Sequence, residues 1–238
     1  MVRMKKILFA AISIIAVFII TVSLLNVEVT TRQGVDYTIS TIKIPLYLKI
    51  LDFYDRHYNY KWLVSRIVDS GRPDEEKVLA VLKWTVSNMT IQPSQLKVID
   101  DHVWHIIVRR YGVEEQFQDV FCTLCNYAGI NAFFEKIDGS SRQKVLSFVR
   151  LGNGWTIFDA YNGVYFKNGS GDYADIDDLE RGDYKAVSIK DEPISQHYDD
   201  LFKNLRSIRY DDWTLRRAGL QSPVNRLIFM LKKTKLSR

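Results

Sequence analysis

Cys122 and Cys125 are the only thiols in the chain and form a Cys-x-x-Cys pair. Such a pair supports disulfide chemistry when a helix N terminus lowers the pKa of one thiol. Here both cysteines fall in the second half of a segment with helical periodicity, among apolar residues. That position favours two buried thiols that pack as small hydrophobic groups. A redox site is the alternative.

Two histidines, His102 and His105, lie three residues apart in the segment DDHVWHIIVRRYG. On a helix they would share one face. Together with the two cysteines they would supply four zinc ligands, but nothing in the sequence brings the four together. The simpler interpretation is one exposed histidine and one at the edge of the core. The functional alternative makes one of them a base. We predict no metal and no cofactor.

The clearest helix of the chain follows these histidines. Its apolar residues recur at helical spacing and form one stripe: Phe117, Val120, Phe121, Leu124 and Ala128. Gly129 follows as a helix-ending glycine. Glu114 and Glu115 stand in the first turn, where the helix dipole stabilises acidic side chains by about 0.3–1 kcal/mol.

The remaining pattern is helical first and strand-like afterwards. Helices are predicted at 44–60, 73–88 and 103–111, the second because Pro73 and three acidic residues open it. After Gly129 the period changes to two, which predicts strands at 132–137, 144–151, 155–160 and 164–167. We therefore predict an α+β fold, with a helical N-terminal half and a core helix packed on an antiparallel β-meander.

Three segments in this order resemble transglutaminase-like domains, over roughly residues 73–168. EEKVLAVLKWTVSNMTI resembles the early helix of that family, and YGVEEQFQDVFCTLCNYAGINAFFEKI resembles its core helix and the strand that follows. LSFVRLGNGWTIFDAYNG resembles the hairpin that carries the histidine and aspartate of the family's active site. The resemblance implies the fold of transglutaminases and papain-like cysteine proteases.

In that family a cysteine at the start of the core helix is the nucleophile, a histidine is the base and an aspartate orients it. Carried onto this chain, the three positions are Glu114, Leu146 and Asp159. The resemblance thus implies the fold without the thiol mechanism. A purely structural role is the alternative: Glu114 would stabilise the helix start, and Asp159 would hydrogen-bond the turn at residues 162–163.

These substitutions predict a catalytically inactive domain that binds a peptide or protein partner in the family's cleft. One alternative is an acyl-transfer or peptide-hydrolase enzyme of the same fold that uses other residues. Its candidates outside the family positions are Cys122, His102 and His105. A second alternative is a structural subunit of a membrane complex.

The N-terminal segment Ile7–Leu25 contains 19 residues without a charge. As a helix it would extend about 28 Å, close to the hydrocarbon thickness of a bilayer. Arg3, Lys5 and Lys6 precede it, which predicts a cytoplasmic N terminus and a domain on the extracytoplasmic side. A cleaved secretory signal is the alternative, although residues 23–25 match a cleavage site poorly.

The chain therefore divides into four predicted parts. Residues 1–25 are a basic end and membrane anchor, 26–43 a connector, 44–192 the domain, and 193–238 a helical extension with a basic tail. The net charge of +5 comes from the two ends, so anionic lipid is a more suitable partner than nucleic acid. The last segment is predicted as a terminal helix packed on the domain, or one lying on a membrane.

Overall fold

A computed structural model describes residues 2–35, 38–99, 102–139, 143–152, 154–190, 193–194 and 197–207. The predicted terminal helix after Pro223 and the basic tail lie outside these residues. Within them, helices come first and a five-stranded antiparallel sheet follows, as the α+β prediction requires.

The N-terminal helix α1 (Val2–Leu25) contains the whole uncharged segment, and most of the apolar side chains described along it are exposed, Phe9 at 74%. In the part of the chain that the structure describes, no helix reaches the length and hydropathy needed to cross a membrane. The predicted connector is instead largely an antiparallel hairpin, β1 (Glu28–Val35) with β2 (Thr38–Pro45). Its many β-branched residues favour strands over a coil.

Four helices follow the hairpin: α2 (Leu46–Ile67), α3 (Asp74–Asn88), α4 (Val103–Arg109) and α5 (Glu114–Tyr127). The predicted start of α3 after Pro73 is confirmed, and three acidic residues occupy its first turn. A short parallel pair, β3 (Thr90–Ile91) and β4 (Tyr111–Gly112), joins the segments that precede α4 and α5.

Helix α5 is the centre of the domain. Its predicted stripe is confirmed, since Phe117, Val120, Phe121 and Leu124 are at most 2% exposed. Ten of its 14 residues are buried, so the helix is enclosed on nearly all sides. It is enclosed because α2, α3 and α4 pack on one side and the sheet packs on the other. Gly129 takes a left-handed conformation (φ 88°) directly after the helix.

The sheet has the strand order β5-β6-β7-β8-β9, and every neighbouring pair is antiparallel. Its strands are β5 (Ala132–Asp138), β6 (Gln143–Leu151), β7 (Gly154–Asp159), β8 (Val164–Lys167) and β9 (Lys185–Ser188). Four of them were predicted. The fifth, β9, and the short helix α6 (Ile176–Arg181) were not, because they have too few apolar residues for a clear period.

Apolar side chains cover both faces of the sheet. One face packs on α5 through residues such as Val149 and Phe158. The other carries Phe148 and Phe166 and is covered by residues 198–205, which include Tyr198 and Phe202. Of the predicted helical extension over residues 193–238, the structure describes 193–194 and 197–207, and in these residues only a 3₁₀ helix (Phe202–Ser207) forms.

Candidate active site

Three charged side chains meet where α5 begins, β6 begins and β7 ends. Glu114 is the first residue of α5, Lys144 the second residue of β6 and Asp159 the last residue of β7. The Nζ atom of Lys144 lies 2.8 Å from Oε1 of Glu114 and 3.0 Å from Oδ2 of Asp159. The ammonium therefore bridges the two carboxylates. We call Glu114, Lys144 and Asp159 the charged triad.

Lys144 is held as a cation by its surroundings. Its side chain is only 7% exposed. Burial acts to lower the pKa of Lys144, but the charges and hydrogen bonds of Asp159 and Glu114 outweigh it and hold the pKa above its usual 10.5. An ammonium has three donors and no lone pair, so at neutral pH Lys144 can neither accept a proton nor attack a carbonyl.

Asp159 is fully buried, and donors surround its carboxylate. Oδ1 accepts from the backbone N–H of Asn162 (3.1 Å) and from Nε2 of Gln118 (3.3 Å). Oδ2 accepts from Nδ2 of Asn162 (2.7 Å) and from the hydroxyl of Tyr198 (2.8 Å), in addition to Lys144. The prediction that Asp159 hydrogen-bonds the turn at residues 162–163 is confirmed. These donors fix the carboxylate in place.

Gln118 connects this site to the interior of the domain. Its Oε1 accepts from the Ser147 hydroxyl (2.6 Å) and from the backbone N–H of Ala160 (3.2 Å), while its Nε2 donates to Asp159. The thiol of Cys122 donates to the same Ser147 hydroxyl (3.2 Å). Sequence reasoning missed Gln118. The available signal was an uncharged polar residue beside the apolar stripe of the core helix.

The triad opens to solvent at Glu114, whose side chain is 32% exposed. Tyr161 stands beside this opening and packs edge-on against Phe117, with ring centres 5.1 Å apart. Burial and the charges of Glu114 and Asp159 raise the pKa of the Tyr161 hydroxyl, while Lys144 partly offsets them. The accessible part of the site is therefore acidic at Glu114 and aromatic at Tyr161.

Leu146 does not reach this site. It is fully buried in the apolar cluster on the face of the sheet away from α5, with Phe133, Phe148 and Ile157. From β6 it is Lys144, two residues earlier, that contacts Glu114 and Asp159. The order of segments in the sequence predicts that a strand lies near the start of the core helix. It does not determine which residue of that strand lies opposite the first residue of the helix. For this reason the sequence assigned the position to Leu146, which is a core residue.

The two ion pairs of Lys144 are made with Glu114 and Asp159, not with the other candidates. Cys122 and Cys125 are free thiols inside α5, 2% and 0% exposed, and burial raises the pKa of Cys125. His102 precedes α4 and His105 lies within it, with ring centres 6.0 Å apart. Among the residues described, no three His, Cys, Asp or Glu side chains are grouped as a metal site would need.

Comparison with known proteins agrees with this architecture. The model of the transglutaminase-like superfamily matches residues 61–169, a range that contains all three members of the triad. No curated protein matches the chain.

Three solved structures are similar to part of this chain. A proposed cysteine protease from Cytophaga hutchinsonii is 18% identical over 64% of this chain and 61% of its own, with a TM-score of 0.40. A TGase is 11% identical over 55% of this chain and 43% of its own, with a TM-score of 0.37. A proposed protease from Parabacteroides distasonis is 13% identical over 70% of this chain and 41% of its own, with a TM-score of 0.38. The match thus spans less than two thirds of each of those chains. Residues 61–169 of this protein are therefore similar to the transglutaminase-like superfamily.

Proposed function

We propose that this chain is a catalytically inactive transglutaminase-like domain that acts as a binding or accessory module. The observation that carries the proposal is the charged triad, in which Lys144 bridges Glu114 and Asp159 at 2.8 and 3.0 Å. In active members of the family a thiolate, an imidazolium and a carboxylate stand in this order. Their charges are negative, positive and negative.

Glu114, Lys144 and Asp159 carry the same order of charges with groups that cannot perform the reaction. A carboxylate is a poor nucleophile toward amides, and the ammonium of Lys144 has no lone pair with which to take a proton. The substitutions therefore retain the electrostatic attraction between the helix start and the sheet. That attraction supports a domain that keeps the contact between the helix start and the sheet, with the partly exposed Glu114 available for binding, while the chemistry is lost.

Thiol reactivity and turnover test the inactive assignment against an enzyme that uses Cys122. The folded full chain in detergent is treated with iodoacetamide near neutral pH, and the same chain in denaturant is the control. We expect both cysteines to be labelled only after unfolding, since both are buried. Two results together would overturn the proposal. Cys122 would be labelled rapidly in the folded chain, and the chain would incorporate a fluorescent primary amine into a glutamine-containing protein. The Cys122→Ser variant would lack this second activity.

The binding role is tested at the exposed member of the triad. A Glu114→Gln variant removes the charge and preserves the shape, so a partner that docks in the cleft should be lost or weakened on co-purification. Glu75→Gln is the matched control, because Glu75 is an exposed acid in the first turn of α3. Equal recovery with both variants would place the partner elsewhere and favour a purely structural subunit.

We also propose that Ile7–Leu25 attaches the chain to a membrane, as a single-pass anchor with its N terminus in the cytoplasm. Support comes from 19 uncharged residues with exposed apolar side chains, preceded by Arg3, Lys5 and Lys6. Extraction of membranes with alkaline carbonate should leave the full chain in the pellet and release a chain lacking Ile7–Leu25. Release of both would refute the anchor. A mature N terminus near residue 25 would identify a cleaved signal.

A further inference from the structure

Helix α2 exposes apolar side chains on the side that faces away from the core, where a helix in water normally carries polar residues. Its inner side buries Arg56, Tyr60 and Val64 against the core. Its outer side exposes five large apolar residues at helical spacing: Tyr47 (37%), Leu51 (61%), Tyr54 (46%), Tyr58 (63%) and Trp62 (58%). We call these five residues the aromatic face. A solvated helix face is normally polar, so a stripe of this length needs a partner.

A basic groove continues from the C-terminal end of the aromatic face. It has a volume of about 730 Å³ and a floor that includes Val64, Ile67 and Ala128. Its charged lining residues are four cations and one acid: Lys61, Arg66, Arg72, Lys77 and Asp69. Arg72 and Lys77 pair with Glu76 (3.4 Å) and Asp74 (2.9 Å) in the first turn of α3, so Lys61 and Arg66 are the groove cations outside these two pairs. The Arg66 guanidinium lies 5.8 Å from the centre of the Trp62 ring. The aromatic face and the basic groove are therefore one continuous surface.

We propose that this surface docks on an anionic phospholipid bilayer, with the aromatic face at headgroup depth and phosphate or carboxylate headgroups at the groove. Tyrosine and tryptophan prefer the membrane interface because their rings are apolar and their tips are polar. Lysine and arginine complement anionic headgroups at about 1 kcal/mol each. The combination of both, along one helix, fits a bilayer interface better than a purely apolar protein groove.

The location of α2 in the chain supports the same occupant. The backbone N–H of Leu46 donates to the carbonyl of Val27 (2.9 Å), and Nζ of Lys49 donates to the carbonyl of Thr30 (2.6 Å). These bonds hold the start of α2 beside the end of α1, the helix that contains the uncharged segment. The aromatic face thus begins next to the most apolar part of the chain. Neither the aromatic face nor the basic groove includes a member of the charged triad.

Fluorescence of Trp62 in liposomes tests the proposal. The full chain is mixed with phosphatidylcholine liposomes, with or without phosphatidylserine, that carry lipids spin-labelled near the headgroup. The signal of Trp62 is the difference between the unmodified chain and a Trp62→Phe variant. We expect the spin labels near the headgroups to quench the fluorescence of Trp62 when the liposomes contain phosphatidylserine. Lys61→Gln with Arg66→Gln should weaken docking about 30-fold, at roughly 1 kcal/mol for each cation. Lys83→Gln with Arg150→Gln, both exposed and outside the groove, is the matched control.

Flotation separates docking from anchoring in this experiment. A chain that floats while Trp62 remains fully open to aqueous iodide refutes docking and leaves the anchor intact. A chain that floats only with phosphatidylserine, and fails to float after the Lys61 and Arg66 changes, supports docking without an anchor. A chain that floats in neither mixture refutes docking. Disulfide-linked dimers of a Tyr58→Cys variant, with no lipid quenching, would assign the surface to a second copy and overturn the proposal.

Discussion

Removal of the Lys144 ammonium tests whether the charged triad holds the helix start to the sheet. Lys144→Met keeps most of the aliphatic stem and deletes the charge, which leaves Asp159 fully buried and Glu114 without its cation. Loss of one partner of a buried ion pair destabilises a protein by about 3–5 kcal/mol. Gln118, Asn162 and Tyr198 still donate to Asp159, so we expect the lower end, about 3 kcal/mol.

Urea unfolding of the full chain in detergent, followed by circular dichroism, measures this loss as a lower midpoint at unchanged slope. Lys77→Met is the matched control, because Lys77 pairs at 2.9 Å with Asp74, whose side chain is 52% exposed. Such a pair contributes about 1 kcal/mol or less. If the free energy of unfolding falls by the same small amount in both variants, the triad is not the interaction that holds α5 against the sheet.

The same pair of proteins gives a pH test with a defined sign. The folded state raises the pKa of Lys144 above 10.5, so its contribution is fully present below the unfolded pKa and is lost as pH rises through the folded pKa. The stability difference between the unmodified chain and Lys144→Met should therefore hold from neutral pH to about pH 10 and shrink above it. Comparison of the two proteins separates Lys144 from the tyrosines, which also titrate there. A difference that grows above pH 10.5 would contradict the reasoning.

Three further substitutions test the packing and hydrogen bonds of the sheet and the core helix. Leu146→Ala should destabilise the chain by about 2–5 kcal/mol in urea unfolding, because Leu146 is a fully buried core residue; a loss below about 1 kcal/mol would argue against that position. Gln118→Leu leaves the Ser147 hydroxyl and the Ala160 N–H without their acceptor and should lower the unfolding free energy by about 1–3 kcal/mol; an unchanged value would mean that water replaces the amide. Gly163→Ala should lower thermal stability more than Gly171→Ala. Both glycines have positive φ, but only at Gly163 would the new Cβ meet a neighbour, Ile189 Cγ1 at 3.1 Å.

Local patterns accounted for much of the fold. Pro73 and the following acids marked the start of α3, and the stripe from Phe117 to Leu124 marked α5, because helix starts and helical periodicity depend on residues close in sequence. The hairpin at 28–45 was missed because β-branched residues were interpreted as a connector when no alternation was visible. The strand β9 was missed because a strand of four residues has too short a period to recognise.

The sequence by itself determined which residue types are available to the site: an acidic residue at the start of the core helix, an aspartate at the end of β7, and thiols only in the helix interior. Only the tertiary structure decided that Lys144 joins the two carboxylates and that Leu146 lies in the core. The reason is physical. Strand register and the position of a strand against a helix depend on packing between segments distant in sequence. Residues two apart share a face of a strand, but their positions along it differ: Lys144 lies at the start of β6 and meets the start of α5, whereas Leu146 lies in the apolar core.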